Sequence, residues 1–223
     1  MAALAVALVA CAGIAWTAVP SSARGGETSC DARGYTYAGL AQSQAVRGVS
    51  ATLTAVSAPH VAGGHVAAWV GVGGRGDGPG GSNVWLQAGL AAYPTGGSRL
   101  YYELMLPNGR QYVEVARGVR PGTRFTVSVL EVTAGSWQVM VDGRVASPIL
   151  DLPKSATGLP AIVTAESWAT DRQACNRYVF GFAGAQFLGA DGAWRPFARP
   201  QIIVSSSTRI TRRSATGFLA TTR

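Results

Sequence analysis

From Tyr35 to Phe197 the sequence alternates apolar and polar residues with period two, and glycine and proline interrupt the alternation repeatedly. Alternation sends successive side chains to opposite faces of a strand, so each such segment needs one buried face. No stretch of this region carries the 3.6-residue period of an amphipathic helix. The pattern predicts about ten strands at roughly 8–12-residue spacing, the signature of a sandwich or barrel. They fall near residues 50–56, 65–72, 83–91, 99–106, 112–116, 124–133, 136–141, 144–146, 160–168 and 178–188. Asp142-Gly143 between two of them predicts a two-residue hairpin turn. Charged residues are only 13% of the chain, about half the usual share. That scarcity suits two stacked antiparallel sheets sharing one core, so an all-β, two-sheet antiparallel β-sandwich is expected. At 48% apolar residues the chain is not composed like a disordered one.

The ends read differently. Ala2 to Val19 is one uncharged apolar stretch, followed by Pro20-Ser21-Ser22-Ala23. This reads as a signal peptide over residues 1–23, cut after Ala23, with a short linker over 24–34. A second reading makes Cys11 the lipidated cysteine of a lipoprotein, after Leu8-Val9-Ala10. Either places the remainder outside the cytoplasm, secreted or at the cell surface, with no stable membrane span once the signal is removed. Cys30 and Cys175 then remain, and an even pair in an exported chain predicts one disulfide; two unpaired thiols are the alternative. The only histidines, His60 and His65, flank a short glycine-containing segment. Neither they nor the cysteines have metal-ligand spacing, so no metal and no cofactor is expected. Of the net charge of +8, five arginines lie beyond residue 197 with no acid among them. Residues 198–223, basic and rich in Ser and Thr, read as a disordered tail. Without interleaved aromatics the tail does not predict a nucleic-acid partner.

Within the predicted strands, Ala68-Trp69-Val70-Gly71-Val72-Gly73 precedes Leu86-Gln87-Ala88-Gly89. Tyr101-Tyr102-Glu103 follows, and then Thr164-Ala165-Glu166-Ser167-Trp168. This order resembles the glutamic peptidases, or eqolisins, over about Tyr35 to Phe197. The resemblance implies a concanavalin-like sandwich, a lectin-like jelly roll, with a glutamine and a glutamate on the concave face of one sheet. In that family the glutamate is base toward water and then acid toward the leaving amine. The glutamine stabilises the oxyanion.

Carried over by position, the glutamine is Gln87, and alternation turns it away from the core together with Trp85. Trp69 matches the tryptophan of the family cleft. Glu103 matches a second acidic position, on a strand whose outward face also holds Arg99 and Tyr101. The resemblance places the catalytic glutamate at Thr170, whose hydroxyl does not titrate in the relevant range. Glu166 falls four residues earlier, ~13 Å along the strand. Asp171, Glu103 and Glu166 are the carboxylates that could take the role. The sequence therefore predicts a monomeric binding module, probing a peptide or glycan with Trp69, Trp85, Gln87, Tyr101 and Glu103. The alternative is an active acid endopeptidase using Gln87, Glu103 and Glu166. For Trp137 and Trp168 packing is expected. The order of residues supports neither a Ser-His-Asp triad nor a Walker-type phosphate loop at residues 71–76.

Overall fold

The computed structural model describes residues 33–153, 158–169 and 175–223. The signal segment with Cys11, the position of Cys30, and Thr170 and Asp171 lie outside the described residues. The chain forms strands β1 Gly34–Gln42, β2 Gly48–Ala55, β3 His65–Gly74, β4 Val84–Ala92, β5 Ser98–Leu106 and β6 Gly109–Val119. β7 Arg124–Thr133, β8 Ser136–Val141, β9 Arg144–Val145, β10 Leu150–Asp151, β11 Ala161–Ala169 and β12 Val179–Leu188 follow. The last four are β13 Trp194–Pro196, β14 Gln201–Val204, β15 Thr208–Ser214 and β16 Gly217–Thr222. No helix among the described residues is long and apolar enough to cross a membrane.

Two antiparallel sheets hold these strands, and neither closes into a barrel. One runs β14-β1-β11-β3-β4-β5-β6; the other runs β10-β8-β7-β2-β12-β16-β15, with β13 and β9 paired at its margins. The expected β-sandwich is what forms. Every central strand sends one face inward. Val66, Ala68, Val70 and Val72 of β3 and Leu86, Ala88 and Leu90 of β4 meet Val49, Ala51 and Leu53 of β2 and Phe180 and Phe182 of β12. These side chains are almost wholly excluded from water, and such burial is the main force holding the sheets together. Trp137 belongs to this core, as expected.

The predicted hairpin turn is present. Val141 pairs with Arg144, while Asp142 and Gly143 both have positive φ, at 50° and 75°. Two successive left-handed residues make the turn whose twist matches the flanking strands, which Asp-Gly tolerates.

One expectation is overturned. Residues 198–223 are not a disordered tail: they supply β14, which pairs with β1, and β15 and β16, which extend the other sheet beside β12. Phe218 and Ala220 point into the core, and Phe218 stacks on Phe182 with ring centroids 4.4 Å apart. The five arginines hide this pattern in the sequence. Arg209, Arg212 and Arg213 of β15 are all exposed, while the threonines favour strands.

Candidate functional site

The outer face of the seven-stranded sheet carries the second, smaller cluster of buried side chains. Its centre is Ala67 and Trp69 of β3, Ala91 of β4 and Tyr101 of β5, with Tyr37, Tyr93, Tyr112 and Ile162 packed around them. A cavity of about 290 Å³ opens on this face, and Gln87, Glu103, Glu166, Trp69, Trp85, His65, Arg75 and Arg110 all line it. Tyr101 lies beneath, bonded to Gln87.

Missing side chains shape the hollow. Gly39, Gly71 and Gly89 lie on the outward face among these residues. A Cβ on Gly39 would sit 2.3 Å from the Thr164 side chain, and one on Gly89 would sit 2.0 Å from the Ala68 carbonyl oxygen. Both strands approach their neighbours too closely for any other residue.

Register fixes the order of groups along the cleft. Gln87 of β4 is directly opposite Glu103 of β5 on one side and Gly71 of β3 on the other. Trp69 faces Gly89 and Thr164. Glu166 is opposite Ala67 on β3 and Tyr37 on β1. The sequence therefore foresaw both the neighbouring strand of Trp69 and the outward turn of Gln87. Gln87, Glu103 and Glu166, the three residues of the endopeptidase alternative, line one cavity.

Each polar group is oriented by a neighbour. Gln87 Nε2 donates to the Tyr101 hydroxyl at 3.2 Å. Trp85 Nε1 donates to Glu103 Oε1 at 3.1 Å, and Arg110 Nη1 lies 3.8 Å from Glu103 Oε2. His65 Nε2 is 3.1 Å from Glu166 Oε1. Glu103 is thus not the partner of Arg99, which pairs with Glu114 instead. Trp69 Nε1 is buried and has no hydrogen-bond partner among the described residues. A buried indole N–H left without an acceptor costs free energy, and this one belongs to a side chain lining the cavity.

Burial pushes the Glu103 carboxyl above its ordinary value. The Trp85 hydrogen bond and Arg110 pull it partly back, and Glu166 adds to the rise. Burial also raises the Tyr101 hydroxyl strongly, keeping it protonated. Among the charges acting on that hydroxyl, Glu166 is the strongest, ahead of Glu103. The Gln87 amide is bonded to the same hydroxyl.

His65, Tyr37 and Arg110 were missed from the sequence. His65 was assigned no role because it sits beside a glycine-containing segment, yet its parity with Trp69 already put it on the outward face. Its ring contacts Tyr35, Tyr93 and Trp168. Trp168 therefore packs on the cleft wall rather than in the main core. Asn176 clamps the loop before His65. Its Oδ1 accepts from the Ala62 and Gly63 amides, and its Nδ2 donates to Gly63 O, Ser167 Oγ and Trp168 O. Among the described residues no group of three or more His, Cys, Asp or Glu gathers as a metal site would.

A two-sheet sandwich with a glutamine and carboxylates on one sheet's outer face defines a glutamic-peptidase-like fold. Among solved structures, scytalido-glutamic peptidase with a transition state analog inhibitor matches 84% of this chain and 98% of its own, with a TM-score of 0.61 and 17% identity. SCP-B, a member of the eqolisin family in complex with the tripeptide Ala-Ile-His, matches over the same shares, with a TM-score of 0.54 and 16% identity. No family model matches the sequence, and no curated protein matches it either. At these identities the likeness is one of fold.

Proposed function

We propose that this chain is an acid endopeptidase of the glutamic type, with Gln87 and Glu166 as its working pair. This reading departs from the binding module that the sequence favoured. The observation that carries it is the gathering of Gln87, Glu103 and Glu166 around one cavity. Glu103 accepts from Trp85 Nε1 and lies 3.8 Å from Arg110 Nη1. Glu166 is held through Oε1 by His65 alone among the described residues, which leaves its second oxygen for a water. The role that the resemblance placed at Thr170 is assigned here to Glu166.

The chemistry follows from these positions. An extended peptide lies in the glycine-floored cleft with its scissile carbonyl at Gln87. Glu166 takes a proton from water as the water oxygen bonds to the carbonyl carbon. The oxyanion is met by the second N–H of Gln87 Nε2, the first being given to Tyr101. The C–N bond then breaks as Glu166 returns the proton to the leaving nitrogen. The fold likeness to a peptidase bound to a transition state analog and to an eqolisin holding a tripeptide supports a peptide as occupant. Export, and a disulfide between Cys30 and Cys175, belong to the same proposal. Reduction of the secreted protein should then add the mass of two hydrogens.

The test is cleavage of an unfolded protein substrate across acidic to neutral pH, with Gln87→Ala and Glu166→Gln beside the wild type. Acid-dependent cleavage lost in both variants supports the proposal. A folded wild-type protein that binds peptides without cutting them returns the chain to the binding-module reading.

A further inference from the structure

The cleft is electrically lopsided. Gly73 of β3, Trp85 of β4, Met105 of β5 and Arg110 of β6 form one row across four strands. Arg75 follows Gly73 by two residues, where the chain leaves β3. Arg75 and Arg110 both line the cavity at this end, with Trp85 between their strands. The other end holds Glu166, His65 and Tyr35.

Most charges on this wall are answered. Glu166 has His65, and Glu103 has Trp85 and Arg110. Arg110 meets Glu103 only at 3.8 Å, and its side chain is 57% exposed. Arg75 is exposed and makes no ion pair among the described residues. Its charge acts across the cavity on the Tyr35 and Tyr37 hydroxyls, as that of Arg110 does on Tyr35. At the arginine end Arg75 has no ion pair among the described residues and Arg110 only a loose one, while the Asp77 carboxylate lies near Gly74 on the same rim.

Resting on the peptidase reading, we propose that the cleft selects peptides carrying an acidic side chain at the arginine end, seated over Trp85 between Arg75 and Arg110. The register sets its place. The Trp85 row is two residues from the Gln87 row, ~7 Å along the strands. An extended peptide advances by the same amount per residue. The preferred Asp or Glu lies about two residues from the scissile bond, on one side only.

The experiment uses quenched-fluorescence peptides in which one Glu is scanned from three residues before to three after the scissile bond, each paired with its Gln counterpart. Reactions run at pH 5.5, where the peptide carboxylate is ionised, at low salt and again in 0.5 M NaCl. Glu at one position about two residues from the cut should raise kcat/KM by about fivefold over Gln, the scale of an exposed charge pair. The gain should reside in KM and shrink in high salt. Arg75→Glu should reverse the preference, read as the kcat/KM ratio of each Glu peptide to its Gln counterpart. Equal rates for every Glu/Gln pair would overturn the inference while leaving the peptidase reading intact. If no peptide is cut, that reading fails, and fluorescence anisotropy with the same peptides decides this one. Tighter binding of a Glu peptide, lost in Arg75→Glu, supports it; equal or absent binding overturns it.

Discussion

His65 and Glu166 are diagonal neighbours across β3 and β11, and Nε2 of the histidine lies 3.1 Å from Oε1 of the glutamate. Tyr35, Tyr93 and Trp168 pack on the imidazole ring, so the bond aims the carboxylate instead of merely neutralising it. Glu166→Gln should lower kcat by about 10²–10⁴-fold, the usual contribution of a general acid–base group. His65→Ala should lower kcat by roughly tenfold with little change in KM, and His65→Gln should recover part of that loss by restoring a donor. Steady-state kinetics on one peptide decides this. A change confined to KM would assign His65 to substrate binding.

Glu103 makes a prediction about stability. Burial holds its folded-state carboxyl above the ordinary value of 4.5. The native state therefore binds a proton more readily than the unfolded chain. The resulting stabilisation is full below 4.5 and is lost as pH rises through the folded-state value. Glu103→Gln removes that loss while keeping an oxygen for the Trp85 N–H. Melting temperatures of variant and wild type should diverge, in the variant's favour, as pH rises from 3 to 7. A variant that loses ground over that range would show that the Arg110 contact outweighs burial.

Gly89 separates cleft shape from chemistry. In Gly89→Ala the new Cβ would lie 2.0 Å from Ala68 O and 2.7 Å from Trp69 Cα. Backbone cannot yield cheaply there, and overpacking of this kind costs about 1–3 kcal/mol. Urea denaturation should show the loss. Peptide binding should weaken with it, because Trp69 is displaced from the cavity wall.

The C-terminal strands should behave as core. Phe218 is 1% exposed and stacked on Phe182. Phe218→Ala should destabilise the domain by about 3–5 kcal/mol. Removal of residues 198–223 should leave a chain without a cooperative unfolding transition. A truncated chain that melts like the full-length protein would mean that β14, β15 and β16 are accessory.

The sandwich could be read from alternation because inward and outward residues differ sharply in polarity on β2, β7, β8 and β12. The same signal failed at β15, where a buried threonine takes an inward place among arginines and the chain looks polar throughout. For the site, Gln87 and Trp69 were legible through parity alone. Glu166 was legible as an outward residue, but its convergence on Gln87 was not. That convergence comes from β11 and β4 flanking β3 in this register, and no spacing in the sequence records which strands are neighbours. His65 was obscured for another reason: it heads the expected strand 65–72, but nothing local in the sequence puts Glu166 beside it.

The last strands also govern when the molecule can fold. β14 completes the edge of one sheet beside β1, the first strand, while β15 and β16 finish the other sheet. Thr208, the first residue of β15, is fully buried and bonded to the Tyr37 carbonyl oxygen. Both layers thus wait for the final twenty or so residues, at the greatest sequence separation the chain offers, a topology that folds slowly. A ribosome still holding that segment holds an unfinished cleft. The cavity wall is complete only once residues 201–222 have joined both sheets.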